Sequence, residues 1–238
     1  MTTQNHDHIV KSYDTEIARL TGEIAAMGEL AVMQLEAAMD ALARRDSRAA
    51  QRVVDNDDAL DAREREIGHG VLRLLALRQP IARDLRDILA ALRIAADIER
   101  IGDYAENVAR RSMTLNQSAP VPLAGGLTAL ATLAAELVRE VLRAYVARDA
   151  QSARDNWERD AELDALYTGL CRELLICMMD DPRSIGACTH LLFIAKNLER
   201  IGDHATNIAE EIWFVVRGET LKETRAPHDA DVAGTGDG

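Results

Sequence analysis

The sequence predicts an all-α protein built as two tandem three-helix bundles that are related by internal duplication. The first observation is a repeat: residues 94–111 recur 100 positions later as residues 194–211, and ten of the 18 residues are identical. The second is composition, because 47% of the 238 residues are apolar but only 3% are aromatic, which is typical of long packed helices. The third is that all five prolines lie outside the segments with helical periodicity.

The first half predicts three helices. Apolar residues recur at three- and four-residue steps over about 12–45, which indicates an amphipathic helix. Ser47 is the predicted N-cap of a second helix, which has to end before Pro80 because the residue preceding a proline avoids helical geometry. A third helix is predicted over about 84–113 and contains the first copy of the repeat. The first bundle is therefore expected to span 8–114.

The second half repeats this plan after a linker. Residues 115–126 hold two prolines and two glycines and are predicted to connect the two bundles. The second bundle is expected to span 127–217, with helices at about 127–146, 150–179 and 185–216. The tail, 218–238, lacks apolar periodicity and is predicted to be disordered.

The charge of the chain narrows the function classes. A net charge of −12 argues against nucleic acid and against an anionic membrane surface, since both partners require a basic face. No apolar run is long enough to span a membrane, and the N-terminal residues do not resemble a signal peptide. The three cysteines have no Cys-x-x-Cys spacing and are interpreted as reduced thiols. The sequence therefore predicts a cytoplasmic protein without membrane insertion.

The repeat preserves polar residues as well as apolar ones. On the third helix, two carboxylates and an amide follow one another at four-residue steps and point away from the core stripe through Ile101. The sixth helix carries the same set. These two ladders are Glu99, Asp103 and Asn107 in the first half, and Glu199, Asp203 and Asn207 in the second half.

A second acidic pair precedes each ladder by one helix. Asp57 and Asp61 lie in the segment DDALD, and Asp160 and Asp164 lie in DAELD. Four carboxylates from two neighbouring helices, repeated in both halves, would form anionic surfaces that favour a cation. Oxygen ligands suit hard cations such as Mg, Ca and Mn, and Fe or Zn also accept them. Metal binding is therefore the favoured interpretation of these residues.

Two alternatives remain open at this point. In a chain with 40 acidic residues, pairs at four-residue spacing also arise by chance on solvated faces, and Glu36 with Asp40 is one such pair. A ferritin-like di-iron centre needs Glu-x-x-His on each of two helices, and the sequence offers it once, at Glu66 and His69.

The repeat also preserves a glycine and an arginine in the middle of each helix. Glycine costs a helix about 1 kcal/mol relative to alanine, so the recurrence of Gly102 and Gly202 indicates that a side chain is excluded there. The space would accommodate either a neighbouring helix or bound metal and water. Arg100 and Arg200 are interpreted as surface salt-bridge partners, and His204 as an ordinary surface or interface histidine rather than a ligand.

These motifs resemble those of the PhoU family of phosphate-regulatory proteins. The resemblance is carried by the twin ERIGD-x-A-x-N segments at 99–107 and 199–207, by the preceding acidic pairs, and by residues 78–86, which include the triplet DLR. It extends over about 8–217. The first copy has Tyr104 where the second has His204, and DLR occurs only in the first half, so the two sites are expected to differ in nuclearity or occupancy.

The resemblance implies a metal site and a regulatory role. It implies clusters of divalent or trivalent ions (Fe, Zn, Mn or Mg) on the surface, held by Asp57, Asp61, Glu99, Asp103, Asp160, Asp164, Glu199 and Asp203, with Asn107 and Asn207 as additional ligands. It also implies a cytoplasmic adaptor between the ATPase subunit of the high-affinity phosphate ABC transporter and a sensor histidine kinase. Such an adaptor keeps the phosphate-starvation response and phosphate uptake low when phosphate is plentiful.

The sequence contains no pairing of a nucleophile with a base, no Gly-rich phosphate loop and no dinucleotide fingerprint. The preferred interpretation is a non-enzymatic regulator, expected to form a homodimer. The alternatives are a carboxylate-ligated metalloenzyme or metal-storage bundle, and a helical scaffold whose acids are incidental.

Overall fold

The computed structural model describes residues 2–78, 82–119 and 124–221, and within these ranges the protein forms seven α-helices and no β-strand. The helices are α1 (Thr2–Arg44), α2 (Ser47–Asp55), α3 (Asp58–Arg78), α4 (Ala82–Leu115), α5 (Ala124–Ala147), α6 (Ala150–Asp180) and α7 (Ile185–Arg217), with a 3₁₀ turn at Pro182–Ser184 between the last two. Helices α1 to α4 form the first bundle, and α5 to α7 form the second. The all-α fold of two tandem bundles is confirmed.

The second predicted helix is in fact two helices. α2 ends at Asp55 and α3 begins at Asp58, and the backbone amide of Asn56 donates to carbonyls of the preceding turn. Four consecutive Asp and Asn residues, 55–58, account for this break, because their side chains compete for backbone hydrogen bonds. The corresponding residues of the second half, 158–161, include one aspartate, and α6 continues through them.

The cap of α2 also differs from the prediction. The N-cap is Asp46, whose Oδ1 accepts hydrogen bonds of 2.9 and 3.0 Å from the amides two and three residues later, and Ser47 is the first helical residue. Asp149 caps α6 in the same way. Arg45 and Arg148, which precede these caps, both have φ near +54° (54° and 53°), so each helix corner turns through a left-handed residue.

Several predicted bounds shift. α1 begins at Thr2 rather than near residue 12, and α5 begins at Ala124, so residues 124–126 of the predicted linker are helical. Residues 1, 79–81, 120–123 and 222–238 lie outside the described ranges, and so do the proline break at Pro80 and most of the predicted tail.

One continuous apolar core joins the two bundles. α1 packs against α5, and α4 packs antiparallel to α7. The antiparallel direction follows from Arg93 with Glu211 at one end of the contact (2.7 Å) and Arg111 over the ring of Phe193 (4.2 Å) at the other. The two helices that carry the repeat therefore lie side by side, and their contact is called the seam below.

Candidate functional site

A leucine and a glycine fix the position of each acidic pair. Leu60, between the aspartates of DDALD, is 1% exposed and packs on Gly102, where a Cβ would overlap its Cδ1. Leu163 of DAELD, 0% exposed, packs on Gly202 in the same way. The glycines shared by both copies of the repeat thus admit a neighbouring helix, which confirms one of the two explanations predicted for them. The contact sets the register between the two helices that carry carboxylates.

The first acidic site, defined as Asp57, Asp61, Glu99 and Asp103, has interacting charges. Burial raises the pKa of Asp57 to about 6, and the charges of Glu106, Asp103 and Asp61 add to the rise. Burial also raises the pKa of Glu99, with further contributions from Asp103 and Asp61 and an opposing one from Arg100. Like charges that disfavour ionisation indicate carboxylates held close together. The structure therefore brings all four predicted residues into one electrostatic cluster.

Arg100 partly neutralises this site. Its Nη1 lies 3.0 Å from Oδ2 of Asp103 and its Nε lies 3.6 Å from Oε2 of Glu99. The pKa of Asp103 is nevertheless raised, because burial outweighs the guanidinium. The salt-bridge role predicted for Arg100 is confirmed. Its side chain is 60% exposed, so a cation that competes for the same oxygens can displace it at small cost.

Two more carboxylates adjoin the first acidic site and were missed in the sequence. Glu106 contributes the largest charge effect on Asp57, and Glu64 raises the pKa of Glu99. Each lies three residues after a predicted ligand, Asp103 or Asp61, and therefore on the same helix face. A search for acidic residues three positions after Asp103 and Asp61 would have found them.

The second acidic site, defined as Asp160, Asp164, Glu199 and Asp203, is assembled in the same way but carries less negative charge. Asp160 is buried, at 2% exposure, and its Oδ1 lies 3.1 Å from the position of a Cβ on Gly202. Burial raises the pKa of Glu199, with Lys196 opposing and Asp203 and Asp164 adding. The structure therefore groups these four residues too.

A lysine distinguishes the second acidic site from the first. Lys196 Nζ lies 2.6 Å from Oε2 of Glu199, and the matching position in the first half is Ala96. The positions that correspond to Glu64 and Glu106 are occupied by Tyr167 and Thr206. The first half thus offers six carboxylates and the second half four with a neighbouring ammonium group. The expected difference in nuclearity or occupancy stays a prediction.

The asparagines of the two ladders are both exposed. Asn207 donates from Nδ2 to Oδ1 of Asp97 across the seam, at 3.2 Å. The same oxygen of Asp97 also forms a hydrogen bond with Nδ1 of His204, at 2.7 Å. Asn207 therefore bonds to the other bundle in this structure, and as a metal ligand it remains a prediction, as does Asn107.

The seam explains His204 and Arg200. The ring of His204 lies 5.6 Å from that of Tyr104, its counterpart in the first half. Arg200 donates to the hydroxyl of Tyr104 at 3.2 Å and lies over its ring at 5.9 Å. His204 is thus an interface histidine, as predicted, and Arg200 has a tyrosine partner across the seam where a surface salt bridge was expected.

The chemistry of the two sites fits a hard cation, because their donors are carboxylate oxygens. In the side-chain orientations of the described residues, no three Asp, Glu, His or Cys groups converge closely enough to hold a metal ion. The carboxylates repel one another, so binding a cation would require their side chains, most of which are half-buried, to rotate toward a common point. Among the described helices, none is both long and apolar enough to cross a membrane.

The sequence matches a protein-family model and is similar to several known proteins. The model of the PhoU domain matches residues 24–112 and again 127–212. The chain is 58% identical over 229 residues to the phosphate-specific transport system accessory protein PhoU homolog of Xylella fastidiosa, covering 96% of this chain and 97% of that protein. It is 48% identical over 224 residues to the homolog of the same name from Caulobacter vibrioides, covering 94% and 97%.

Solved structures agree with the sequence comparison. The crystal structure of PhoU from Pseudomonas aeruginosa superposes with a TM-score of 0.84 at 37% identity, covering 87% of this chain and 100% of that one. The phosphate transport system regulatory protein PhoU from Streptococcus pneumoniae gives a TM-score of 0.81 at 29% identity, covering 89% and 100%.

Proposed function

Because the chain belongs to the PhoU family, we propose that it is a regulator of phosphate homeostasis that acts as an accessory protein of a phosphate transport system. The support is its similarity over nearly the whole length of relatives that carry this name. We further propose that it is a cytoplasmic adaptor. Its partners would be the ATPase subunit of the phosphate ABC transporter and a sensor histidine kinase, and it would hold phosphate uptake and the starvation response low when phosphate is plentiful.

The adaptor would act by binding rather than by catalysis. A protein that binds one conformation of its partner more tightly than another shifts the partner toward that conformation. The long exposed faces of α3, α4, α6 and α7 offer surface for such contacts, and the negative charge of the chain favours basic surfaces on the partners. A homodimer is part of the proposal, and its mass is measurable by light scattering.

The two acidic sites are proposed to bind metal ions, and the observation that carries this proposal is their construction. In each half, a Leu–Gly contact holds a D-x-x-L-D segment against an E-x-x-x-D segment. Burial, with the charges of neighbouring carboxylates adding to it, raises the pKa of Asp57 and Glu99 in the first site and of Glu199 in the second. Asp57, Asp61, Glu99 and Asp103 would hold one set of ions, and their counterparts in the second site another. A bound cation would supply positive charge that cancels this repulsion, with Asn107 and Asn207 as further oxygen donors.

A quadruple variant that neutralises four carboxylates tests the metal proposal. Glu99→Gln, Asp103→Asn, Glu199→Gln and Asp203→Asn together keep the shape of both ladders and remove four charges. We expect elemental analysis of protein purified without chelator to find metal in the wild type and little in the variant. Equal metal content in the two would refute the assignment.

The chain provides a matched control on α1. Glu36 and Asp40 have the same four-residue spacing, but each pairs with an arginine: Glu36 with Arg139 at 2.7 Å and Asp40 with Arg44 at 2.8 Å. Substituting this pair by Gln and Asn should leave the metal content unchanged. Metal lost from both variants would indicate a nonspecific effect of net charge.

The regulatory proposal has a separate test. In cells that lack their own homologue, the wild-type chain should restore repression of a phosphate-starvation reporter in high phosphate and should copurify with the transporter ATPase and the kinase. If repression is not restored, the regulatory role is refuted whatever the metal content. Turnover of O₂ or peroxide by the metal-loaded protein, lost in the quadruple variant, would instead support the metalloenzyme or storage alternative.

A further inference from the structure

The turn between α6 and α7 brings two thiols to one hydroxyl group. Cys177 lies in the last turn of α6 and Cys188 in the first turn of α7. Their Sγ atoms lie 3.7 and 3.6 Å from Oγ of Ser184. Oγ of Ser184 is itself fixed by hydrogen bonds to the carbonyls of Asp181 (2.8 Å) and Cys177 (3.2 Å). The serine therefore holds both cysteine side chains on the same side of the turn.

The two thiols also interact with each other. Burial raises the pKa of Cys188, Ser184 opposes the rise, and the neighbouring thiol of Cys177 adds to it. Cys188 is fully buried at 0% exposure, whereas Cys177 is half-buried and reachable from solvent. The third cysteine, Cys171, is associated with Tyr167 instead. One partly exposed thiol thus lies beside one buried thiol, which is the arrangement of a peroxide-reactive cysteine and its resolving cysteine.

We propose that Cys177 and Cys188 are a modification site, a dithiol that a peroxide oxidises to an intramolecular disulfide. In the first step, the sulfur of Cys177 attacks the peroxide, the O–O bond breaks, and Cys177 sulfenic acid and an alcohol or water form. In the second step, the sulfur of Cys188 displaces hydroxide from the sulfenic acid and its proton leaves with that hydroxide as water. The two thiols together lose two electrons and two protons, and the peroxide accepts them.

The disulfide would fasten the second bundle at its tip. It would close the loop of residues 178–187 and tie α6, which carries Asp160 and Asp164, to α7, which carries Glu199 and Asp203. Closure of the disulfide should take minutes rather than milliseconds, because its nucleophile is the buried Cys188 thiol, whose pKa burial raises.

The experiment uses the full chain with Cys171→Ser, so that only the proposed pair remains. After exposure to hydrogen peroxide, we expect a monomer that is lighter by the mass of two hydrogens, contains no free thiol, and yields a linked Cys177–Cys188 peptide. Dithiothreitol should reverse all three changes. Hydrogen exchange at residues 178–187 should be slower in the oxidised protein.

Controls separate native geometry from mere proximity in sequence. Cys171→Ser combined with Cys177→Ser should yield no intramolecular disulfide, and so should its combination with Cys188→Ser or, if serine disturbs the core, Cys188→Ala. Because the fold holds the two sulfurs on one hydroxyl group, a larger share of oxidised Cys177 should end as the Cys177–Cys188 disulfide in the folded protein than in 6 M guanidinium. Disulfide-linked dimers, sulfinic acid without a linked peptide, or an equal share of disulfide in folded and unfolded protein would each overturn the proposal.

Discussion

Replacing Gly102 by alanine separates the intrinsic helix propensity of a residue from its packing. Alanine favours a helix by about 1 kcal/mol relative to glycine, so propensity alone predicts stabilisation. At Gly102, however, the new methyl group would overlap Cδ1 of Leu60 and lie 3.3 Å from Oε1 of Gln34. Leu60 is 1% exposed, so it cannot yield to the methyl group by turning into solvent. Overpacking of this kind costs about 1–3 kcal/mol, so we expect net destabilisation of about 1 kcal/mol.

Gly68 provides the matched control. It lies within α3, and a Cβ placed on it meets nothing within 4 Å. Gly68→Ala should therefore stabilise the protein by up to about 1 kcal/mol. The measurement is the urea midpoint of each variant with its denaturant slope. Opposite signs for Gly102→Ala and Gly68→Ala are the expected result.

A double-mutant cycle identifies the partner. Leu60→Ala alone should cost about 2–5 kcal/mol, because it empties a buried site. In the double variant, the methyl group on residue 102 enters the space that Leu60 has left, so the two effects should fall short of their sum by about 1–3 kcal/mol. Effects that add to within about 0.5 kcal/mol, or a stabilising Gly102→Ala, would refute the Leu–Gly contact as the element that sets the register of the first acidic site.

Three further predictions concern charges and caps. Burial raises the pKa of Asp57 to about 6, so its ionisation destabilises the folded state as pH rises from about 4 through 6. Asp57→Asn should remove this loss of stability, which is about 1 kcal/mol after allowance for solvent screening. The measurement compares the free energies of unfolding of wild type and variant in urea at pH 4 and pH 7, without metal. Lys196→Ala, which reproduces Ala96 of the first half, should tighten Mn²⁺ binding at the second acidic site about two- to fivefold by removing one salt-bridge partner, measured by calorimetry; unchanged affinity would contradict the neutralising role of the lysine. Asp46→Ala should cost about 1 kcal/mol in thermal unfolding and Ser47→Ala much less, because only the aspartate caps α2.

The fold was predictable because the repeat and the helical periodicity are local signals that the tertiary structure preserves. The break at Asn56 was not seen, since apolar residues on both sides keep the same period across it. The cap at Asp46 was missed because Ser47 is an equally good cap by residue type, and only the left-handed Arg45 decides which residue leaves the helix. The residue at which a helix begins or ends depends on the backbone geometry of the connection, which the adjacent residue types do not specify.

The part of each acidic site that lies on a single helix was predictable from the sequence. Spacing along one helix places Glu99 with Asp103 and Asp57 with Asp61, but the approach of the two pairs depends on the contact of Leu60 with Gly102. Glu64 and Glu106 lie on the same two helix faces, but their charges act on Glu99 and Asp57 of the other helix, which depends on that approach. The partners of His204 and Asn207 come from another helix more than 100 residues away, and no local pattern indicates them.

The seam accounts for the main departure between the two copies of the repeat. Because α4 and α7 run antiparallel, positions 104 and 204 face each other near a pseudo-twofold axis. In a homodimer of two identical bundles, both of these positions would have to carry the same residue. A duplicated chain has no such constraint. Here Tyr104 accepts a hydrogen bond from Arg200, while His204 contacts Asp97, and these are two different interactions at related positions. The acids of each ladder are retained in both copies, whereas the pair of residues whose rings meet across the seam, Tyr104 and His204, diverged. The difference between Tyr104 and His204 is therefore evidence about how the bundles are joined, and it leaves the equivalence of the two acidic ladders intact.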